Sequence, residues 1–295
     1  MTLVFGDSEQ QAARQLYVLA LREDLGGAGD ITSQAFLDPN AMGTVQIVVR
    51  NAGTIAGLPI VAAVFQRLDP QVQVKLLAED GTHVTPGQVV GELHGKVLSL
   101  LAGERTALNF LTHLSGVATL TARFVAEVAG TKARILDTRK TLPGWRLLEK
   151  YAVRAGGGLN HRIGLFDAVL IKDNHLAAWK AENPTGSVAD AVRRAREKAP
   201  HGTIVEVEVD SLEQLKDALQ GAPDIVLLDN MPPDVMRQAA QIRDEMAPQV
   251  QLEASGGVNL STVKAIAQTG VERISVGALT HSAPVLDLAF DWKTP

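Results

Sequence analysis

From about residue 130 the chain adopts a rhythm that few folds can accept: a short apolar strand, a polar or glycine-rich end, a helical stretch, then another strand. The strands read as RILD (134–137), AVLIK (168–172), IVEVEV (204–209), DIVLLD (224–229), QLEAS (251–255) and RISVG (273–277). Helical patterns lie between most of them, as in 187–199, 211–220 and 259–270. Strand, helix, strand at this spacing means βα units and a parallel sheet. Six such strands in about 150 residues suit a barrel short of the usual eight strands. A doubly wound open sheet satisfies the same rhythm.

The preceding half is built differently. Residues 9–21 show helical spacing, and EDLGGAGDITS (23–33) reads as a loop ending at a capping Thr32 or Ser33. Short β-like runs follow at 45–49, 72–77 and 88–96, separated by turns at 79–81 and 85–87. They predict a small α/β domain with an antiparallel, sandwich-like sheet. Residues 98–128 are helical in pattern, and Gly103 and Gly116 predict two helices or a kinked one.

Bulk properties narrow the function. The chain has 295 residues, enough for one large or two modest domains at roughly 100–200 residues each. Its 33 carboxylates against 28 Lys and Arg leave no basic surplus for a nucleic-acid backbone. Any anion must therefore be met by cations concentrated locally. There is no cysteine, which excludes disulfides, thiolate zinc sites and cysteine nucleophiles. The opening residues lack the pattern of a secretory signal, and no run approaches the roughly 18 apolar residues of a membrane span. The expectation is a soluble cytoplasmic protein with neither nucleic-acid nor membrane partners.

The strand ends carry the chemistry. RILD runs into Thr138, Arg139 and Lys140, and AVLI into Lys172; DIVLLD ends in Asp229. QLEAS ends in Ser255, Gly256 and Gly257, and RISVG leads through Val276 and Gly277 to Ala278. Glu206 and Glu208 share one face of their strand. In a barrel these ends form one rim, where active sites of this architecture assemble. Polar strand ends also serve solubility, but a lysine inside AVLIKD, read as buried, is costly without a partner. The turns at 255–257 and 276–278 offer backbone N–H groups to a phosphate, although a glycine after a strand is commonly only a turn.

A cationic set comprises Arg105, Arg139, Lys140, His161, Arg162 and Lys172. Arginine forks suit carboxylates, and lysine supplies a point charge for phosphates. Arg105 alone reads more readily as a solvated helix face. Glu206 and Asp229 stand against this set, suited to ribose hydroxyls or a divalent metal. Together they describe a site for a polyanionic, sugar-bearing substrate with magnesium; salt bridges without a ligand are the plainer reading of the same residues.

The segments EDLGGAGDITS (23–33), GERTALNFL (103–111), DTRKTLPGWR (137–146), GGGLNHRIGLFDAVLIKDNH (156–175), EVEV (206–209), VLLDN (226–230), EASGGV (253–258) and ISVGALTHS (274–282) resemble the quinolinate phosphoribosyltransferases in order and spacing. The likeness spans nearly the whole chain. It implies an α/β sandwich domain over 1–115, joined by the tail 280–295, and an incomplete seven-stranded α/β barrel over 116–279. It implies a homodimer, with further assembly to a hexamer left open, in which Arg105 reaches the neighbouring site. Arg105, Arg139, His161, Arg162 and Lys172 would then bind the quinolinate carboxylates. Lys140, Lys172, Glu206 and Asp229 would meet phosphoribosyl pyrophosphate, with Lys140, Glu206 and Asp229 catalytic. Mg²⁺ would be held mainly by substrate, with Glu206 and Asp229 as candidate ligands, and the two glycine turns would hold the 5′-phosphate. The family's role is de novo NAD synthesis.

That chemistry suits the residues. Departure of pyrophosphate builds oxocarbenium character at the ribose C1, which carboxylates stabilise while cations hold the leaving group. Rival readings are a related phosphoribosyltransferase using nicotinate or a molybdenum-linked substrate, and a non-catalytic phosphate sensor. The three arginines favour a dicarboxylate, and Glu206 with Asp229 favours catalysis.

Overall fold

A computed structural model describes residues 3–293. In chain order the elements are α1 (Asp7–Leu25), α2 (Ile31–Phe36), β1 (Met42–Val49), β2 (Gly53–Thr54), α3 (Leu58–Leu68), β3 (Gln73–Leu76), β4 (His83–Val84), β5 (Val89–Lys96) and α4 (Val97–Glu127). There follow β6 (Arg134–Leu136), α5 (Arg146–Ala155), β7 (Val169–Ile171), α6 (Asp173–Glu182), α7 (Val188–Lys198), β8 (Val205–Val209), α8 (Leu212–Gln220) and β9 (Ile225–Asp229). The last are α9 (Pro233–Met246), β10 (Gln251–Ser255), α10 (Val263–Ala267), β11 (Arg273–Ser275), α11 (Ala278–His281) and β12 (Leu288–Trp292). Among the described residues no helix is long and apolar enough to cross a membrane.

Two units divide the chain. Unit 1 is Met1–Ala122, Thr141–Gly157 and Leu279–Pro295, and unit 2 is Arg123–Lys140 and Gly158–Ala278. A boundary at 115/116 would assign 141–157 to the barrel; instead α5 packs against α1 in unit 1.

Unit 1 carries an antiparallel sheet in the order β12-β1-β5-β3 and a small β2-β4 pair. Its strands alternate: Val45, Ile47 and Val49 turn inward with Leu93, while Phe65 of α3 stacks on Phe290 with ring centroids 6.0 Å apart. The α2 cap is Asp30, not Thr32 or Ser33; its carboxylate accepts the Ser33 amide and hydroxyl. Nor do the two glycines break the long helix. α4 runs unbroken for 31 residues. A Cβ on Gly103 would stand 2.6 Å from the Phe65 ring, and one on Gly116 would stand 2.2 Å from the Pro284 carbonyl oxygen. Glycine is there for close approach, and the packing it permits outweighs its propensity cost of roughly 1 kcal/mol.

Unit 2 is the parallel sheet. Its β9 is a near-continuous apolar run, as expected of a strand covered on both faces, whereas β8 and β10 carry the buried Glu206 and Glu253 among their apolar residues. The intervening helices start on sequence-coded caps: Ser187 accepts the Asp190 amide while Asp190 bonds back to Ser187, and Ser211 accepts the Gln214 amide. The order is β6-β11-β10-β9-β8-β7. A parallel bridge, Leu136 to Leu159, adds a seventh segment beyond β6. In that series every strand lies beside its chain neighbour, except where the Leu159 segment would meet β7. A doubly wound sheet reverses direction midway; this one runs round in order, as a barrel with one seam does.

Candidate active site

The register ranks the residues on the sheet face opposite the helices by height. Glu206 is level with Ile225, Glu208 with Leu227, and Asp229 with Ser255. Asp229 therefore lies four residues above Glu206's level, about 13 Å at roughly 3.3 Å per residue, but only two above Glu208's. Glu208, rather than Glu206, is the carboxylate near the rim. The expectation of Glu206 and Asp229 as joint ligands is corrected accordingly. The sequence held a signal for it, since period two placed both glutamates on one face and active sites favour the C-terminal end.

Lys172 is not buried either. Its side chain is 46% exposed and its Nζ donates to Glu208 Oε2 at 2.7 Å. It precedes α6 in extended backbone, with its amide donating to His175 Nδ1 at 2.9 Å. The lysine needs no buried partner, because it stands at the rim.

Asp137, missed by sequence reasoning, positions the next group. It is fully buried at the end of β6, its Oδ1 accepting the His161 amide at 2.9 Å and its Oδ2 the Asn160 side-chain amide. Its place directly before Thr138-Arg139-Lys140 was the available clue. Thr138 Oγ1 accepts the Lys140 amide at 3.1 Å; Thr138 and Arg139 are half-buried and Lys140 is exposed. Arg162 Nη1 donates to the Ala168 carbonyl at 3.0 Å. Burial, and then the neighbouring Arg139 charge, hold the Arg162 guanidinium below its ordinary pKa, against the pull of Glu206 and Asp167. Two guanidiniums thus share one region despite mutual repulsion.

Below them lies a buried group. His161 Nε2 is 3.0 Å from Glu206 Oε2 and 3.3 Å from Glu253 Oε1. Burial disfavours the imidazolium, but the bonds and charges of Glu206 and Glu253 outweigh it and raise the pKa to about 9. The Arg162 amide, 2.7 Å from Nδ1, pulls the other way by requiring a lone pair there. While that bond holds, the ring carries its one proton on Nε2, and the positive charge that two carboxylates against Arg273 alone leave wanting is met by the raised affinity of Glu206 for a proton. Glu206 is raised by its burial and by the neighbouring Glu253 charge, against the pull of His161 and Arg273; Glu253, buried more deeply still, is nonetheless lowered by His161 and Arg273. Glu253 also escaped sequence reasoning, because its partner His161 lies far off in the chain.

The turn after β10 is built for close approach. Gly256 has φ +96° and Gly257 φ +61°. A Cβ on Gly256 would stand 2.1 Å from Asn230 Oδ1, whereas Gly257 faces open space. Asn230 itself has φ +52°, donates its amide to the Ser255 carbonyl, and bonds Asp229 Oδ2 through its side chain at 3.0 Å. The Val276 amide is engaged by the Leu136 carbonyl at 2.9 Å, so it is not an open anion donor as the sequence suggested; Gly277 and Ala278 are half-buried. Arg105 stands exposed on α4 in unit 1, and the remaining cations belong to unit 2.

For magnesium, the donor set decides between two places. The ligating atoms of His161, Glu206 and Glu253 lie within 4.8 Å of one another, but they include a nitrogen and adjoin Arg273. Glu208 and Asp229 offer only oxygens, the harder donors that magnesium prefers. Of the residues present, Glu208 and Asp229 are the ones whose chemistry could hold that ion, with Glu208 exchanging its contact with Lys172.

A parallel barrel with arginines, lysines and carboxylates at the C-terminal ends of its strands is the build of an enzyme for a phosphorylated, anionic substrate. Family profiles specify which. Residues 30–115 match the quinolinate phosphoribosyl transferase N-terminal domain, and residues 117–291 match the C-terminal domain. The nicotinate-nucleotide pyrophosphorylase [carboxylating] of Mycobacterium leprae is 46% identical over 98% of this chain and 100% of its own length. A chloroplastic enzyme of the same name from Arabidopsis thaliana is 37% identical over 94% of this chain and 81% of its own. The solved nicotinate-nucleotide pyrophosphorylase of Francisella tularensis superposes with a TM-score of 0.89 at 40% identity, covering 96% of each chain. The chain belongs to the quinolinate phosphoribosyltransferase family.

Proposed function

We propose that the chain joins quinolinate to phosphoribosyl pyrophosphate, releasing pyrophosphate and carbon dioxide to form nicotinate mononucleotide in de novo NAD biosynthesis. The observation that carries this reading is the set of cations that unit 2 gathers after its strands: Arg139 and Arg162, near enough for one charge to disfavour the other, and Lys172, half-exposed and paired with Glu208 at the rim. A dianion bound between them would relieve that repulsion.

On this reading Arg139, Arg162 and Lys172 hold the two quinolinate carboxylates, with Arg105 of a second copy completing the site in a homodimer. Lys140 holds the pyrophosphate, and the 255–257 turn with Gly277 and Ala278 takes the 5′-phosphate. Glu208 and Asp229 face the ribose hydroxyls and stabilise the positive charge that grows at C1 as its bond to pyrophosphate breaks. Mg²⁺, held by the substrate with Glu208 and Asp229, would neutralise charge on the leaving group. The pyridine nitrogen then bonds to C1. The ring cation so formed stabilises the carbanion left when the 2-carboxylate departs as carbon dioxide, and a proton replaces it.

The test is turnover of the purified protein with quinolinate, phosphoribosyl pyrophosphate and Mg²⁺. Carbon dioxide should appear in one-to-one ratio with nucleotide. Turnover of nicotinate instead would favour the near relative, and binding of both substrates without turnover would favour a sensor.

A further inference from the structure

Beneath the arginines, a line of polar contacts descends into the barrel, and the reaction chemistry makes no use of its lower end. Arg273 Nε donates to Glu253 Oε2 at 2.7 Å. The other oxygen of Glu253 faces His161 Nε2 at 3.3 Å, beside Glu206 Oε2 at 3.0 Å. On the far side of the ring, Nδ1 receives the Arg162 backbone amide at 2.7 Å. Glu253 is 0% exposed and Glu206 1%. Among the described residues Glu206 Oε1 and Glu253 Oε1 are each buried without a hydrogen bond, so Glu253 meets His161 as an ion-pair contact.

This arrangement is expensive. A buried carboxylate costs several kcal/mol even when partly paired, and apolar side chains would commonly pack as well or better. The contacts run in one direction, from a fixed arginine, through a glutamate, through an imidazole, to the main chain of a substrate-facing arginine. A divalent ion among His161, Glu206 and Glu253 is a poor alternative. Arg273 already balances one carboxylate, and a single shared proton balances the other.

We propose that Glu253 is a positioning residue for the quinolinate site: anchored by Arg273, it holds the His161 ring against Glu206 and, through Nδ1 of that ring, fixes the backbone of Arg162. The inference rests on the functional reading above, in which Arg162 binds a quinolinate carboxylate. Support from behind of this kind decides whether a guanidinium sits within the few tenths of an ångström that a two-point contact needs. A misplacement of about 1 Å costs on the order of 100-fold in rate or affinity.

The test compares two variants with wild type, measuring Tm, kcat and both KM values. In Glu253→Leu/Arg273→Met both charges go together, so no unpaired ion is left buried and the chain should fold. Glu253→Gln keeps an acceptor oxygen for His161. The double variant should raise the quinolinate KM about tenfold or more while the phosphoribosyl pyrophosphate KM stays within twofold, and Glu253→Gln should recover most of the loss. A double variant with wild-type quinolinate KM overturns the positioning role. So does a parallel decline of both KM values and kcat in step with Tm, without recovery in Glu253→Gln, which would mark a purely structural group. Wild-type protein that fails to turn over quinolinate overturns the functional reading and this inference with it, whereas active wild type beside an unaffected double variant overturns the inference alone.

Discussion

Replacing Gly256 by alanine tests the rim directly, because two independent features forbid a side chain there. The φ of +96° lies outside the small left-handed region open to other residues, a strain of about 1–3 kcal/mol. The new methyl would also collide with Asn230 Oδ1, 2.1 Å away, and pushing Asn230 aside breaks its 3.0 Å bond to Asp229. If the turn holds the 5′-phosphate, that strain appears in binding. At about 1.4 kcal/mol per tenfold, it raises the phosphoribosyl pyrophosphate KM roughly 5- to 150-fold. Gly257 supplies the control. Its φ of +61° is one that asparagine adopts readily, and open space surrounds it, so Gly257→Asn should shift KM far less than Gly256→Ala. Steady-state kinetics with each substrate varied, together with thermal melts, separate the effects. A Gly256→Ala protein with wild-type KM for phosphoribosyl pyrophosphate and unchanged Tm would refute the reasoning, since the turn would then be neither strained nor ligand-facing.

Arg243 is 2% exposed and bonds the Val250 carbonyl, Asp244 and both oxygens of Glu272, so Arg243→Met should destabilise by about 3–5 kcal/mol in denaturant melts near neutral pH. Burial opposes ionisation of Glu272, but the bonds to Arg243 and the Leu252 amide win and hold its pKa below the usual carboxylate range. That stabilisation is present above the unfolded pKa and lost as pH falls through the lowered folded one, so the gap between variant and wild type should narrow at acid pH; an equal gap throughout would contradict it. Mixing Arg105→Ala with Lys140→Ala protein should restore activity, because each mixed dimer holds one intact site. No recovery despite demonstrated subunit exchange would show that Arg105 does not act across an interface.

The parallel strands were legible because short runs rich in valine, isoleucine and leucine, continuous in DIVLLD and alternating in IVEVEV, stand out between turns and charged helices. The Leu159 segment escaped notice. One parallel bridge leaves no period for the eye, and only its tie to Leu136 makes it a strand. Gly103 and Gly116 misled for a related reason: whether a glycine ends a helix or lets something approach depends on Phe65 and Pro284, far off in sequence. The site behaved likewise. Residue type drew attention to Arg139, Arg162 and Lys172, whose roles are the proposal above, because a cation following a buried strand contributes little to packing and much to anion binding. Height along a strand, which separates Glu208 from Glu206, and contacts such as Glu253 with His161 are tertiary facts.

The pairing of β12 with β1 orders events in time as well as space. β1 is an inner strand only because β12 lies against it, in register from Val45 with Trp292 to Val49 with Leu288. A ribosome delivers β1, β5 and β3 first, then all of unit 2, and β12 last. Throughout that interval β1 presents a bare row of amides and carbonyls to any extended peptide nearby. The first unit to emerge is thus the last to be completed. Loss of the β12 segment would leave the parallel sheet whole while turning β1 into an adhesive edge.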